Sequence, residues 1–378
     1  MPRFSKLIFP ALAIILAAGM AQAAEFVTQK VKVKIEAVAS GLEFPWAIEV
    51  LPDGAYIVTE RPGRLRIVRD GKLSEPIEGV PEVAVRGQGG LLDVALSPDF
   101  ARDRTIFMTA ALAYDGGAGT AVIKARLSED ERALGEVQTI FRMRKIGTTG
   151  RHFGSRIAFG PDGKLYFAIG DRGDMKRGQD FMDHAASIMR INTDGSVPAD
   201  NPFADGKQAL PEIFSKGHRN AQGLVLDPVT GGIITAEHGA QGGDEINLPR
   251  AGLNYGWATI TYGKNYDGRK IGVGTSSPGL EQPAFYWDPS IAPGALAVYQ
   301  GQMFPEWKDD VFTTSLKFGL ISRIDRDENG KFGEEERFLD ADYGRLRDII
   351  VAPDGALLVT TDDPDGQILR ISRAEKAS

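Results

Sequence analysis

The chain has 378 residues, with four histidines and no cysteine, so few side chains can move protons near neutral pH. His152 has the surroundings for it. It stands in Arg151-His152-Phe153-Gly154-Ser155-Arg156, ahead of the turn Gly160-Pro161-Asp162-Gly163, and the following strand runs into Ile169-Gly170-Asp171. A histidine at the start of one strand and an aspartate at the end of the next can meet across a hairpin. The carboxylate would then fix the imidazole tautomer and raise its basicity, as a general base requires. A structural loop histidine is the plainer alternative. His184 is expected in a short helix over 181–191, as a structural or surface residue.

A second concentration of polar groups runs from 217 to 257. It opens on His218, Arg219 and Asn220, passes through a strand at Gly232–Ala236, and enters Glu237-His238-Gly239-Ala240-Gln241-Gly242-Gly243-Asp244-Glu245. A glycine-rich turn carrying carboxylates can aim carbonyl and side-chain oxygens at one point, which suits a hard cation such as calcium. A solvated loop would look the same in composition. Gln88, in Arg86-Gly87-Gln88-Gly89-Gly90, offers an amide to an oxygen-rich ligand, but the turn lacks the lysine and βαβ setting of a phosphate loop. Arg345 and Arg347 are two apart; on a strand they share a face and can clamp carboxylates, or form a surface charge stripe. Asp325 to Gly330 with Glu336 has EF-hand spacing, yet a strand-like run precedes it, so an inter-strand loop is expected.

The elements that must hold these residues are short strands behind recurring turns. The turns are Leu51-Pro52-Asp53-Gly54, Ser97-Pro98-Asp99, Gly160-Pro161-Asp162-Gly163, Asp227-Pro228, Pro305-Glu306-Trp307 and Ala352-Pro353-Asp354-Gly355, each leading into an apolar run. Proline presets φ, aspartate accepts local hydrogen bonds and glycine tolerates positive φ. Six turn–strand units at uneven spacing predict a six-bladed β-propeller, with a sandwich or two β domains as the alternative. A propeller would carry its site on loops of one face, drawn from several blades.

Composition narrows the classes further. Hydrophobic content of 42% and charged content of 25% are those of a globular protein. The absence of cysteine removes disulfides, thiolate metal sites, cysteine nucleophiles and iron–sulfur clusters. The net charge is −7, without runs of Lys and Arg among aromatics, so no nucleic-acid surface is expected. Arg3 and Lys6, the apolar run 7–18 and Ala21-Gln22-Ala23 read as an export leader covering residues 1–23, with a single domain over 24–378. No membrane span is expected after it, and the expected location is periplasmic.

Seven segments in this order make the chain resemble the soluble quinoprotein sugar dehydrogenases, especially the compact aldose sugar dehydrogenases. They are RGQGGLLDVALSPDF, RHFGSRIAFGPDGKLYFAIGD, GHRNAQGL, AEHGAQGGDEINL, LNYGW, QPAFYWDPSIAPG and GRLRDI, spread over about Gly41 to Ile371. The resemblance implies a six-bladed propeller binding pyrroloquinoline quinone (PQQ) and calcium. It implies His152 as base, Asp171 as its partner and Arg219 at the catalytic centre. Gln88, Arg219, Asn220, Tyr266, Lys317, Arg345 and Arg347 are the implied cofactor contacts. The carbonyls of Gly239 and Ala240 are the implied ligands of the calcium at the quinone, and Glu245 and Tyr255 of a second, structural calcium. The implied reaction is oxidation of an aldose at its anomeric carbon to a lactone by hydride transfer to the quinone. An external acceptor then takes the electrons, and the chain acts as a monomer. His238-Gly239-Ala240 replaces the Gln-Gly-Pro of the glucose dehydrogenases; carbonyl ligation should survive, and a histidine there could alter the pH response. Ala292-Pro293-Gly294 also departs from the usual serine-bearing turn, at the edge of the substrate pocket. A calcium-dependent propeller hydrolase of the lactonase kind would need several converging Asp, Asn and Glu side chains, which the sequence does not offer. A purely binding propeller would have no use for His152, Arg219, Asn220 and the late arginines together.

Overall fold

Each of the six turns picked out above joins the innermost strand of a sheet to its second strand. The inner strands of blades 1 to 6 are Pro45–Val50, Leu91–Leu96, Ile157–Phe159, Ala221–Asp227, Pro293–Val298 and Leu346–Val351. Behind each, the strands pair antiparallel, giving five four-stranded sheets and one five-stranded sheet. The inner strands contact one another in sequence, and the sixth returns to the first. The computed structural model describes residues 24–374 of this six-bladed β-propeller; the leader expected over residues 1–23 lies outside the described residues.

Blade 6 is made from both ends of the chain. Leu346–Val351, Leu357–Thr361 and Gly366–Arg373 come from the end, and Lys32–Leu42 and Ala24–Val27 from the start. The join runs through Val33 opposite Arg373, Ile35 opposite Ile371 and Ala37 opposite Leu369. The outermost strand of this blade is Ala24–Val27.

The core is divided among the six gaps between neighbouring blades. Trp46, Ile57 and Leu91 pack with Ile106 between blades 1 and 2; Tyr299, Trp307 and Phe312 pack with Leu357 between blades 5 and 6; Leu42, Ile48 and Leu358 close the gap from blade 6 to blade 1. A strand sandwiched between two blades is buried on both faces and reads as a continuous apolar run. This explains one failed expectation. Residues 181–191 are not a helix: Ser187–Ile191 is a wholly buried strand of blade 3, and the nearest helical turn is the 3-10 turn Met175–Gln179. His184 is buried, accepting the Arg144 N–H at Nδ1 and meeting Glu212 at Nε2. The segment with EF-hand spacing is the hairpin turn between Ile321–Arg326 and Phe332–Phe338, and Glu336 is paired with Arg323.

Arg156 sits where the blades converge. Its guanidinium contacts Asp93 of blade 2 at 3.0 Å and Asp348 of blade 6 at 2.9 Å. It donates to the carbonyls of Gln222 in blade 4 and Gly294 in blade 5, and it lies 4.3 Å over the Trp46 ring of blade 1. As Arg156 leads into the inner strand of blade 3, one side chain touches all six blades. It also borders an axial cavity of about 210 Å³ lined by Glu49, Asp93 and Asp348.

Candidate active site

The hairpin of blade 3 brings His152 and Asp171 together, with Nδ1 2.5 Å from Oδ1. The Ser155 N–H bonds to the Ala168 carbonyl, pinning the two chain segments side by side. His152 has a left-handed backbone, φ 53°, and its N–H donates to Gln88 Oε1 at 2.7 Å. The carboxylate is fixed from its other side too. Its Oδ2 accepts the Trp257 indole N–H at 2.8 Å, and Oδ1 accepts the Gly173 N–H. A carboxylate so held keeps the proton of the imidazole on Nδ1 and leaves the Nε2 lone pair for another partner. Burial holds the imidazole below its ordinary value of 6.5; Asp171 opposes that shift and Arg219 adds to it. For Asp171, burial acts to raise the pKa, but the hydrogen bond and charge of His152 outweigh it and hold the carboxyl low.

The loop ahead of blade 4 supplies Arg219 and Asn220. Glu237 anchors it, taking the Arg219 N–H on Oε2 and His218 Nδ1 on Oε1. His218 is thereby structural, bonded also to Ser215 and stacked on Tyr255. Asn220 Oδ1 accepts the Gly154 N–H and so ties this loop to the His152 loop. The Arg219 guanidinium donates to the His238 carbonyl and lies 5.2 Å from the Trp257 ring centroid, yet its buried Nε has no partner.

Two adjoining cavities of about 430 and 680 Å³ open beside these groups and share His238, Ala292, Leu316 and Arg345. Gln88, Phe153, Gly154 and Asn220 line the first; His152 is not in its lining but is bound to Gln88. Tyr266, Lys317, Gly239 and Ala240 line the second. Cations dominate the joint cleft, with Arg61, Lys264, Lys317, Arg345 and Arg347 against Asp288 and Asp362. The two late arginines do clamp a carboxylate, but it belongs to the chain: Asp362 Oδ2 accepts from Arg345 and from Arg347. Arg347 also donates to Gln222, and its buried Nε has no partner. A cleft lined by these cations fits an anionic, oxygen-rich ligand.

Asp362 was not among the residues singled out by the sequence. Burial would raise its pKa, but the charges and hydrogen bonds of Arg347 and Arg345 bring it down to about 2. Its ionised form thus contributes stability above the free value of 3.8, and this is lost as pH falls from 3.8 towards 2. Asp362→Asn is expected to cost about 2 kcal/mol at neutral pH, with the gap to wild type closing near pH 2. Denaturant melts of both proteins across that range check it; a gap that persists at the acid end would refute the assignment.

The turn 237–245 departs from its expected role in one respect. Its three carboxylates do not all converge: Glu237 and Glu245 share the Asn247 amide, and Asp244 turns elsewhere. Glu237 faces the His218 network, while Asp244 braces the loop, accepting from the Gly239 N–H, Ser290 Oγ and the Ala292 N–H. Among the described residues no group of three or more His, Cys, Asp or Glu side chains is arranged to hold a metal. Backbone oxygens remain: no hydrogen bond takes the Gly239 or Ala240 carbonyl among the described residues. Position 239 must be glycine, because a side-chain carbon there would lie 2.2 Å from the carbonyl oxygens of Gly242 and Gly243. Glu245 is buried next to Glu237, and burial followed by that neighbour pushes its carboxyl up to about 8; such a group gains from a cation. The Tyr255 hydroxyl is committed to the Leu248 carbonyl and the Arg250 N–H, so only its carbonyl is free for a metal. His238 donates Nε2–H to the Pro293 carbonyl, and burial brings it down to about 3, with Arg219 adding to the shift. That shift keeps it neutral near pH 7.

The model of the family described as glucose / sorbosone dehydrogenase matches residues 42–370. Aldose sugar dehydrogenase YliI of Escherichia coli (strain K12) is 40% identical over 347 residues, covering 90% of this chain and 93% of that protein. The apo crystal structure of the soluble aldose sugar dehydrogenase from Escherichia coli superposes with a TM-score of 0.88, covering 90% of this chain and 100% of the other. The PQQ-bound form of aldose sugar dehydrogenase from Streptomyces coelicolor is 28% identical, with a TM-score of 0.74, covering 90% of this chain and 99% of that one.

Proposed function

The chain belongs to the glucose / sorbosone dehydrogenase family, and from that we propose that it is a PQQ- and calcium-dependent dehydrogenase oxidising aldoses at the anomeric carbon to lactones. The observation that carries the reading is the His152–Asp171 pair at 2.5 Å, bound through Gln88 to a cationic cleft. The cleft would hold a tricarboxylate quinone through Arg347 in its lining and through Arg219, whose guanidinium reaches the carbonyl of His238 at its edge. Gln88, Asn220, Tyr266, Lys317 and Arg345 would complete its binding. The free carbonyls of Gly239 and Ala240 would hold the calcium beside it, and Glu245 with the Tyr255 carbonyl a second one.

Bound there, the quinone supplies the hydride acceptor and the calcium a Lewis acid. The chain's own part is to hold the sugar and move a proton. His152 Nε2 takes the proton of the anomeric hydroxyl as the C1–H bond breaks, and Asp171 stabilises the resulting imidazolium. The buried surroundings that keep His152 neutral before reaction leave it ready to accept that proton. The substrate ends as a lactone, and an outside acceptor removes the electrons.

Reconstitution tests the reading. Cofactor-free protein given quinone, calcium and an aldose should reduce an artificial acceptor. A chelator should abolish this recovery and lower the melting temperature, since a ligand bound only by the native state stabilises it. If chelation changes neither, the calcium assignment is wrong; if quinone and calcium give no aldose oxidation, the enzymatic reading is wrong.

A further inference from the structure

One wall of the first cavity has no task in the reading above. It is formed by Phe44 and Arg61, both half-buried and both lining the cavity. Phe44 has φ 49°, in the left-handed region where a bulky aromatic residue is disfavoured. Two hydrogen bonds hold it there: its N–H donates to the Asp363 carbonyl, and its carbonyl accepts the Arg61 N–H. The Arg61 guanidinium lies 4.5 Å from the centroid of the Phe44 ring and donates to the Gly87 carbonyl at 3.0 Å. Gly87 precedes Gln88, which also lines the cavity and whose Oε1 holds the His152 N–H, so this pair is linked to the proton acceptor through two adjacent residues. Strain kept at a cavity wall by surrounding contacts points to use of that wall.

We infer that Phe44 and Arg61 form the sugar-binding platform of this site, with a pyranose ring packing its C–H face on the phenyl ring and its hydroxyl edge receiving Arg61 N–H groups. This rests on the aldose dehydrogenase reading and adds the residues that set its preference among sugars. The chemistry is complementary. A pyranose has an apolar face and a polar rim, and an aromatic ring with an adjoining guanidinium offers the same two surfaces. Arg61 commits one N–H to Gly87, and no other Arg61 side-chain hydrogen bond forms among the described residues. The pair is also separate from the Arg345–Arg347–Asp362 cluster, so the platform and the anion-holding groups are different side chains.

The test uses the quinone- and calcium-loaded protein with several aldoses, comparing Phe44→Gly, Phe44→Tyr and Arg61→Met with wild type. Glycine accepts the left-handed backbone without steric strain, so Phe44→Gly should fold, which a thermal melt beside wild type checks. Its KM should rise roughly tenfold while kcat changes by less than about threefold, because uniform binding is what has been removed. The rise should differ from sugar to sugar, the quinone titration should not move, and Phe44→Tyr should restore the wild-type KM. Arg61→Met should raise KM most for sugars with the most ring hydroxyls. Calorimetric titration with the lactone product gives a readout independent of turnover, and Phe44→Gly should weaken that binding in parallel. Three results would overturn the inference: an unchanged KM for every aldose in Phe44→Gly, an equal loss of quinone affinity, or no recovery in Phe44→Tyr. If the loaded wild type oxidises no aldose, the underlying functional reading falls as well, which separates the two failures.

Discussion

His152→Ala is expected to lower turnover by roughly two to four powers of ten and to leave quinone affinity unchanged. The loss is that of a positioned base. Asp171 holds Nδ1, so Nε2 is the nitrogen available to the anomeric hydroxyl, and no second histidine is placed to take over. His238 donates its own Nε2–H to the Pro293 carbonyl. Asp171→Asn should lose less, because Asp171 orients the base without taking the substrate proton, and the Trp257 indole still holds that side chain in place. Arg219→Ala should lose turnover and quinone affinity together, since its guanidinium sits on the carbonyl of His238 at the edge of the cleft. Burial keeps His152 below 6.5, so wild-type activity should persist on the acid side of that value, with its acid limb at lower pH. The measurement is aldose oxidation with an artificial acceptor beside a quinone titration, with a C1-deuterated sugar to show that chemistry limits the rate. Near-normal turnover of His152→Ala under those conditions would exclude it as the base.

Arg156→Ala is expected to destabilise the fold by about 3–5 kcal/mol, the usual result of removing one partner of a buried ion pair. Asp93 and Asp348 would remain facing each other in the axial channel, with the guanidinium that separates them gone. The carbonyls of Gln222 and Gly294 would also lose their donor. Arg156→Ala combined with Asp93→Asn and Asp348→Asn should recover part of the loss, because the stranded charges disappear. Denaturant unfolding reads this directly, and the slope with denaturant should stay constant if only native stability changes. A loss under about 1 kcal/mol, or none recovered in the triple variant, would mean the ion pairs do not hold the ring together.

Local features carried most of what the sequence disclosed. The six turns were legible because proline, aspartate and glycine act through their own backbones, and each lies at the same inner-to-second strand junction. The His152–Asp171 pair was legible because one hairpin joins them. What stayed hidden depends on closure of the ring. Trp257 meets Asp171 from 86 residues away, and nothing local to LNYGW indicates that its indole will fix a carboxylate in blade 3. Asp362 looks like any turn aspartate until blade 6 sets it between two arginines. The carboxylates of the 237–245 turn suggested metal ligation, but Asp244 and Glu237 are consumed in shaping the loops around them. The misread helix at 181–191 has a simple cause. Ile188 and Met189 mark an apolar side for a helix, whereas a strand packed on both faces shows the same residues without any periodicity.

Blade 6 also sets a schedule for synthesis. Gly366–Arg373 lies between the early strand Lys32–Leu42 and the later strands of its sheet, so an early strand waits for one made much later. Until Gly366–Arg373 leaves the ribosome, Lys32–Leu42 and Leu357–Thr361 each present an unpaired strand edge, and such edges invite pairing with other chains. Five finished blades give no relief, because the ring has no closed form with fewer strands. The nascent protein is thus exposed to misassembly from the making of Lys32–Leu42 until the eight residues of Gly366–Arg373 emerge and end that exposure in one step.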